Sequence, residues 1–115
     1  MAVTIYHNPR CSKSRETLAL LESKGEKPKV VEYLKDTPDA GTLDAILKKL
    51  DMEPRELMRR KEAPYKELGL DDPGLSRQAL IAAMVEHPVL IERPIVLKGK
   101  KAALGRPPEK VLEIL

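Results

Sequence analysis

The spacing of hydrophobic residues predicts short strands near both ends of the chain and helices between them. Val3 to His7 is a short run rich in β-forming residues, and Lys29 to Leu34 is another. The segment between them predicts a helix that begins at a cap formed by Ser12 or Ser14 and ends near Lys24. A strand, a helix and a strand within about 30 residues have the size of a βαβ unit.

The middle of the chain is predicted to be helical. Hydrophobic residues from Leu43 to Leu50 are spaced as on one face of a helix, which would begin at a cap and a first-turn proline at Thr37-Pro38. Pro54 is expected to open a short helix. Ser76 is expected to cap a further helix, which His87-Pro88 would end.

The C-terminal part returns to strands. Ile95 to Lys98 and Lys101 to Leu104 predict two strands joined by a turn at Gly99, and Pro107-Pro108 then opens a last helix. That helix is expected to turn three hydrophobic side chains into the core, namely Val111, Leu112 and Leu115.

The element order predicts an α/β protein with a four-stranded mixed sheet. A helical insertion separates a βαβ half from a ββα half, and this order occurs in the thioredoxin-like fold. With 115 residues, the chain has the length of one domain, so we expect a single domain over residues 1–115.

Composition narrows the classes of function. Aromatic residues make up only 3% of the chain, which disfavours binding of single-stranded nucleic acid by base stacking. The net charge of +3 is too small to indicate a nucleic-acid binder, although it suits a small anionic substrate. The longest apolar run, Ala79 to Val85, is too short to span a bilayer, and the N-terminal residues lack a secretion-signal pattern. We therefore expect a cytoplasmic protein that binds neither nucleic acid nor membrane.

The counts of cysteine and histidine limit the chemistry further. The single cysteine, Cys11, excludes an intramolecular disulfide and a cysteine-rich metal site. The two histidines, His7 and His87, are too few to favour a zinc site built by this chain alone. We expect no metal ligands among its residues.

The segment from His7 to Arg15 places Cys11 where the first predicted strand ends and the first helix begins. The free N–H groups and the positive end of the helix dipole stabilise an anion at that point, and a thiolate is such an anion. Arg10, Lys13 and Arg15 add positive charge, so we expect a lowered pKa and a nucleophilic thiolate at Cys11. The same donors would hold an oxyanion beside the sulfur.

Plainer interpretations of these residues stay open. Cys11 could be a small core residue, because free cysteines are commonly buried and inert. His7 could be a solvated or hydrogen-bonded strand end rather than a group that tunes the thiol. The residues from Cys11 to Ser14 have the spacing of a CxxC motif with serine in the second position. A second thiol would therefore have to come from outside the chain, from glutathione or a glutaredoxin.

Three arginines lie near prolines at the ends of predicted elements: Arg59, Arg93 and Arg106. Three fixed guanidinium groups would suit a tetrahedral dianion. From spacing alone, each is more readily interpreted as a solvated surface charge. The Arg93-Pro94 bond, which precedes a predicted strand, is also a candidate cis peptide bond.

The sequence resembles the ArsC family of glutaredoxin-coupled arsenate reductases essentially from end to end. Four segments carry the resemblance, in chain order TIYHNPRCSKSRETL, ELMRRKEAPYKELGL, HPVLIERPIV and GRPPEKVLEIL. The resemblance implies a thioredoxin-like fold, which agrees with the element order. It also implies a cytoplasmic oxidoreductase of arsenical resistance with arsenate as substrate, glutathione as co-substrate and glutaredoxin as partner. No tightly bound cofactor is implied, and we expect a monomer.

The resemblance assigns a role to each matching residue. Cys11 matches the nucleophile that attacks arsenate. Arg59, with Arg60 as its neighbour, matches the first anion-binding arginine, and Arg93 and Arg106 match the other two. The residues that would hold and tune the cysteine loop are His7, Asn8 and Ser14, with Arg15 in support.

Alternatives to arsenate reduction stay open. Established arsenate reductases of the family carry a different residue pair where this chain has Ser12-Lys13. One alternative is a glutathione-dependent monothiol oxidoreductase of the same fold that acts on another substrate, such as a glutathione mixed disulfide. Another is a redox-linked regulator of the Spx type that binds RNA polymerase, although Ser14 removes the CxxC switch of such proteins. A structural domain with an inert Cys11 is the third.

Overall fold

The sheet of the protein has four strands in the order β2-β1-β3-β4 in the computed structural model, which describes residues 2–115. The strands are β1 Val3–Tyr6, β2 Lys29–Val31, β3 Ile95–Lys98 and β4 Lys101–Leu104. β1 pairs in parallel with β2 and antiparallel with β3, and β3 pairs antiparallel with β4. The predicted mixed sheet of four strands is thereby confirmed.

The helices lie where the hydrophobic pattern predicts them, with additions in the middle of the chain. The α-helices are α1 Ser12–Ser23, α2 Ala40–Leu50, α3 Ala63–Glu67 and α4 Arg77–Glu86. The 3₁₀ helices are Pro54–Leu57, Pro88–Leu90 and Pro108–Ile114. Within residues 2–115, no helix has the length and apolar character needed to cross a membrane.

The chain divides into two compact units. The sheet unit holds the described residues up to Asp36 together with Arg93–Leu115, and the helical unit is Thr37–Glu92. The helical insertion between the βαβ and ββα halves is thus a unit of its own. The single domain over residues 1–115 stays a prediction.

The core of the sheet unit lies on one face of the sheet, beneath α1 and the last helix. Alternate residues of a strand point to the same face, which is why both Val3 and Ile5 reach this core. The buried members are Val3, Ile5, Leu21, Val96, Ala103 and Val111. Burial of a large aliphatic side chain of this kind stabilises the fold by about 1.5–3 kcal/mol.

The last helix buries different side chains from those predicted. It is a 3₁₀ helix with about three residues per turn, so Pro108, Val111 and Ile114 follow one another along one side. Val111 is fully buried and Ile114 packs against the core. Leu112 and Leu115 are 38% and 37% exposed, so the prediction that they point inward is wrong. The prediction assumed the 3.6-residue period of an α-helix.

Strand β2 is an edge strand and is shorter than predicted. It ends at Val31 rather than Leu34. The cause is a turn in which the Glu32 carbonyl accepts hydrogen bonds from the N–H groups of Lys35 and Asp36, both at 2.9 Å. These backbone groups of Glu32, Lys35 and Asp36 therefore form hydrogen bonds within the turn rather than across the sheet.

Helix caps in the helical unit follow side-chain chemistry. The Asp39 carboxylate accepts from the Thr42 N–H at 2.8 Å, so α2 begins after Asp39 and the predicted cap at Thr37-Pro38 is wrong. The Ser76 hydroxyl accepts from the Ala79 N–H at 3.1 Å, which confirms the predicted cap of α4.

Candidate active site

Cys11 is the N-cap residue of α1, with extended backbone angles of φ −94° and ψ 123°. The prediction that Ser12 or Ser14 caps this helix is therefore wrong. The loop before it is closed by the Asn8 residue, whose side-chain oxygen accepts from the Arg10 N–H and whose carbonyl accepts from the Cys11 N–H, both at 3.0 Å. This tight turn delivers the cysteine to the helix end, where the first N–H groups have no acceptor within the helix.

The pKa of the Cys11 thiol lies below its ordinary value, as the sequence predicts. Burial of the half-buried thiol raises its pKa, but four other groups together outweigh burial. In order of size, these are the backbone N–H of Ser14, the charge of Arg93, the backbone N–H of Lys13 and the charge of Arg106. The first turn of α1 and two arginines therefore act on one sulfur atom.

The positive charges that act on Cys11 differ from those predicted. Lys13 acts through its backbone N–H, while its ammonium lies 3.5 Å from the Glu16 carboxylate. The Arg15 guanidinium donates to the Pro9 carbonyl at 2.9 Å. Sequence neighbours of a cysteine at a helix start can point their side chains along the helix or back over the loop, so closeness in sequence did not identify the acting charges.

Arg93 and Arg106 are brought together by the β3–β4 hairpin. Ile95, the first residue of β3, pairs with Leu104, the last of β4, and each arginine lies two residues outside this pair, beyond the end of its strand. The Arg106 guanidinium donates to the Arg93 carbonyl at 3.4 Å. Each arginine precedes a proline across a cis peptide bond, which the sequence predicted for Arg93 only. Strand pairing thus makes neighbours of two residues that are far apart in the chain.

His7 and Ser14 form a buried pair behind the cysteine loop. The Ser14 hydroxyl lies 2.6 Å from His7 Nδ1 and accepts from the Asn8 N–H at 3.0 Å. Burial lowers the pKa of His7, the Glu32 carboxylate raises it and the Arg15 charge lowers it, leaving it below its ordinary value. A neutral His7 with its proton on Nε2 accepts the Ser14 O–H at Nδ1. This arrangement holds the first turn of α1 against the end of β1.

The carboxylate of Glu32 near His7 was not recognised in the sequence. It follows Val31, which pairs with Tyr6 in the parallel register of β1 and β2. The residue after each partner is therefore a neighbour of the other. Parallel pairing of the two strands would have predicted this contact, because His7 directly follows β1 and Glu32 directly follows β2.

Arg59 belongs to the helical unit. Its N–H donates to the Leu90 carbonyl at 2.7 Å, and its guanidinium lies 2.9 Å from the Glu62 carboxylate. The neighbouring Arg60 is exposed and donates to the Arg55 carbonyl at 3.3 Å. The sheet unit brings Cys11, Arg93 and Arg106 together, whereas a substrate role for Arg59 stays a prediction.

The ArsC family model matches residues 6–114 of the chain. The chain belongs to the ArsC family. "Uncharacterized protein YfgD" of Escherichia coli K12 is 61% identical over 114 residues, covering 98% of this chain and 96% of that protein. "Arsenate reductase" of Haemophilus influenzae is 55% identical over 116 residues, covering 100% of both.

Solved structures agree with this membership. "Arsenate reductase from Vibrio cholerae" superposes with a TM-score of 0.97 at 58% identity, covering 100% of this chain and 98% of that one. This likeness confirms the predicted thioredoxin-like fold of this chain.

The chemistry available to this candidate site is that of one activated thiol beside two guanidinium groups. Among residues 2–115, no group of three or more histidine, cysteine, aspartate or glutamate side chains is arranged to hold a metal ion. A thiolate at a helix N-terminus, next to two guanidinium groups, can attack an electrophilic oxyanion and stabilise the negative charge on its oxygens.

Proposed function

We propose that this ArsC-family protein is an arsenate reductase, an oxidoreductase that reduces arsenate to arsenite through its single cysteine. The observation that carries the proposal is the Cys11 thiol, which sits at the N-terminus of α1 and whose pKa is lowered by that helix turn and by Arg93 and Arg106. Membership of the ArsC family and relatives named arsenate reductase support it.

In the first step, the Cys11 thiolate attacks arsenic. A sulfur–arsenic bond forms and an arsenic–oxygen bond breaks, and the released oxygen leaves as water once it is protonated. The arginines stabilise the charge on the remaining oxygens, as in other oxyanion sites. Arg93 and Arg106 fill this role in the sheet unit, and we assign Arg59 to it as the third arginine.

In the later steps, external thiols supply the electrons. Glutathione attacks the thiol–arsenate adduct, and glutaredoxin completes the reduction. In total, two external thiols donate two electrons to arsenic(V) and end as one disulfide, while arsenite leaves and Cys11 returns as a thiolate. With one cysteine in the chain, no internal thiol can replace them. Glutathione is therefore a co-substrate, and no tightly bound cofactor is needed.

The other predicted site residues, His7, Asn8, Ser14 and Arg15, lie around the loop that carries Cys11. Ser14 links His7 to the Asn8 backbone, and the Arg15 guanidinium binds the Pro9 carbonyl. We propose that they position the thiolate rather than touch the substrate. The protein would act as a monomer in the cytoplasm, with glutaredoxin as its protein partner.

A second candidate function uses the same site. A glutathione-dependent oxidoreductase that acts on another substrate, such as a glutathione mixed disulfide, also needs one activated thiol. The spacing Cys11-Ser12-Lys13-Ser14, with serine in place of a second cysteine, favours such monothiol chemistry. A regulator of the Spx type is less well supported, since the Ser14 hydroxyl is engaged with His7 and Asn8.

A coupled assay separates these functions. NADPH oxidation would be followed with glutathione, glutaredoxin and glutathione reductase, with and without arsenate. We expect arsenate-dependent oxidation that stops when glutathione is omitted and that Cys11→Ser abolishes. Oxidation with a glutathione mixed disulfide but not with arsenate would favour the second function. Many turnovers with thioredoxin alone would contradict the monothiol mechanism.

A further inference from the structure

Gly105 lies at a point of close approach inside the sheet unit. A Cβ atom at this position would lie 2.6 Å from Thr17 Oγ1, 2.8 Å from Pro94 Cγ and 3.1 Å from Thr17 Cγ2. Real Cβ atoms do not approach other heavy atoms below about 3.0 Å, so glycine is required here for space. The residue before Arg106 therefore rests directly on helix α1.

Thr17 is the helix residue that receives this contact. Its side chain is fully buried, and its hydroxyl donates to the Lys13 carbonyl at 2.8 Å. Lys13 is in the first turn of α1, whose N–H groups act on the Cys11 sulfur. Thr17 thus supports the same helix turn that stabilises the thiolate.

On the other side of the contact are the two arginines. Gly105 directly precedes Arg106, and its N–H donates to the carbonyl of Pro94, the residue after Arg93. The end of the hairpin that carries both guanidinium groups therefore meets α1 at Thr17. A change in this spacing would move the arginines relative to the cysteine.

We propose that the contact between Gly105 and Thr17 is a positioning contact, which sets how closely Arg93 and Arg106 approach the Cys11 sulfur and an oxyanion bound there. The two residues act through others and touch neither the thiol nor the substrate in the reaction. The oxyanion part of this inference rests on the proposed function, whereas the effect on the thiol does not.

The first test is Gly105→Ala, which forces the hairpin end away from α1. Arg93 and Arg106 would then lie farther from the sulfur and stabilise the thiolate less, so we expect the pKa of Cys11 to rise. This pKa is measured from the thiolate absorbance as a function of pH. A displacement near 1 Å at a catalytic constellation can lower activity by about 100-fold, so we expect the arsenate KM to rise roughly 10- to 100-fold. Gly41→Ala is the matched control, because a Cβ there meets only Asp39 Oδ1 at an ordinary 3.7 Å.

The second test is rescue by Thr17→Ala. This change removes the Oγ1 and Cγ2 atoms that a methyl group at residue 105 would strike, while the Pro94 contact stays. The double variant should therefore recover part of the lowered Cys11 pKa and part of the KM, giving a coupling between the two substitutions. A double variant as impaired as Gly105→Ala would overturn the assignment to Thr17.

Stability is measured on every variant to separate positioning from folding. Should Gly105→Ala fail to fold, Thr17→Val is the substitute, because it replaces the hydroxyl by a methyl group of similar shape. This change removes the hydrogen bond to the Lys13 carbonyl in the first turn of α1, so a smaller rise in the Cys11 pKa is expected. A folded variant with lower stability but a wild-type thiol titration and KM overturns the proposal. If the wild-type protein reduces no arsenate, the proposed function fails, and the thiol titration still tests the contact.

Discussion

The two parts of the candidate site are built in different ways. The cysteine loop is local, because Asn8 closes its own turn and Cys11, three residues later, is the N-cap of α1. The arginine pair is long-range, because Arg93 and Arg106 meet only through the pairing of β3 with β4. The comparison teaches that the position of the candidate nucleophile depends on loop and helix-end geometry, whereas the position of the two arginines proposed to bind an anion depends on strand register.

The largest loss of activity is expected from a change in the cysteine loop. Cys11→Ser removes the thiol and should reduce arsenate-dependent NADPH oxidation to the level without enzyme, because an alcohol is not ionised near neutral pH. After reaction with arsenate and glutathione in the absence of glutaredoxin, mass spectrometry should detect a glutathione adduct on the wild-type protein and none on this variant. Full activity of Cys11→Ser would exclude the proposed nucleophile.

Changes in the arginine pair should give the next largest loss of activity. Loss of one charge-assisted contact costs about 1.5–3 kcal/mol, so Arg93→Ala or Arg106→Ala should raise the arsenate KM roughly 10- to 100-fold. Arg93→Lys should also be impaired, since an ammonium lacks the planar fork of a guanidinium. Lys101→Ala, an exposed cation in the same hairpin, is the control and should keep wild-type kinetics. Unchanged kinetics in both arginine variants would mean that they are surface charges.

A smaller effect should follow from loosening the loop. Ser14→Ala removes the hydroxyl that accepts from the Asn8 N–H and contacts His7 Nδ1, leaving polar groups without these partners. Leaving a buried partner unsatisfied costs about 1–3 kcal/mol, measured as a lower free energy of unfolding in urea. Ser23→Ala loses an exposed hydroxyl bond on the same helix and should change little. Equal stabilities of the two variants would argue against a holding role for Ser14.

The smallest effect concerns pH. The pKa of His7 is lowered in the folded protein, chiefly by burial. The unfolded chain therefore takes up a proton first, and the folding stability due to a neutral His7 is present above its ordinary pKa of about 6.5 and falls as pH drops below it. The loss levels off once pH is below the folded pKa. His7→Gln should flatten this part of the curve of unfolding free energy against pH, and an unchanged slope would contradict the assignment.

Local chemistry in the sequence was enough to predict much of the fold. The strands at Ile95–Lys98 and Lys101–Leu104, the cap at Ser76 and the lowered pKa of Cys11 are all present in the structure. The strands and the cap depend on residues close together in the chain, and so does the part of the Cys11 pKa shift that comes from the N–H groups of Lys13 and Ser14. One error fell where two local rules competed, at the cap of α2, where Asp39 prevailed over Thr37-Pro38.

The tertiary structure decided which charges reach the thiol. The sequence by itself determined that Cys11 stands at a helix start among cations, but the arginines that act on it are Arg93 and Arg106. Their meeting follows from antiparallel pairing about the Gly99 turn, and the space for the hairpin end follows from the absence of a side chain at Gly105. The spacing of residues along the chain shows neither the meeting of the two arginines nor the close approach at Gly105. Both depend on distances that only the folded sheet and helix establish.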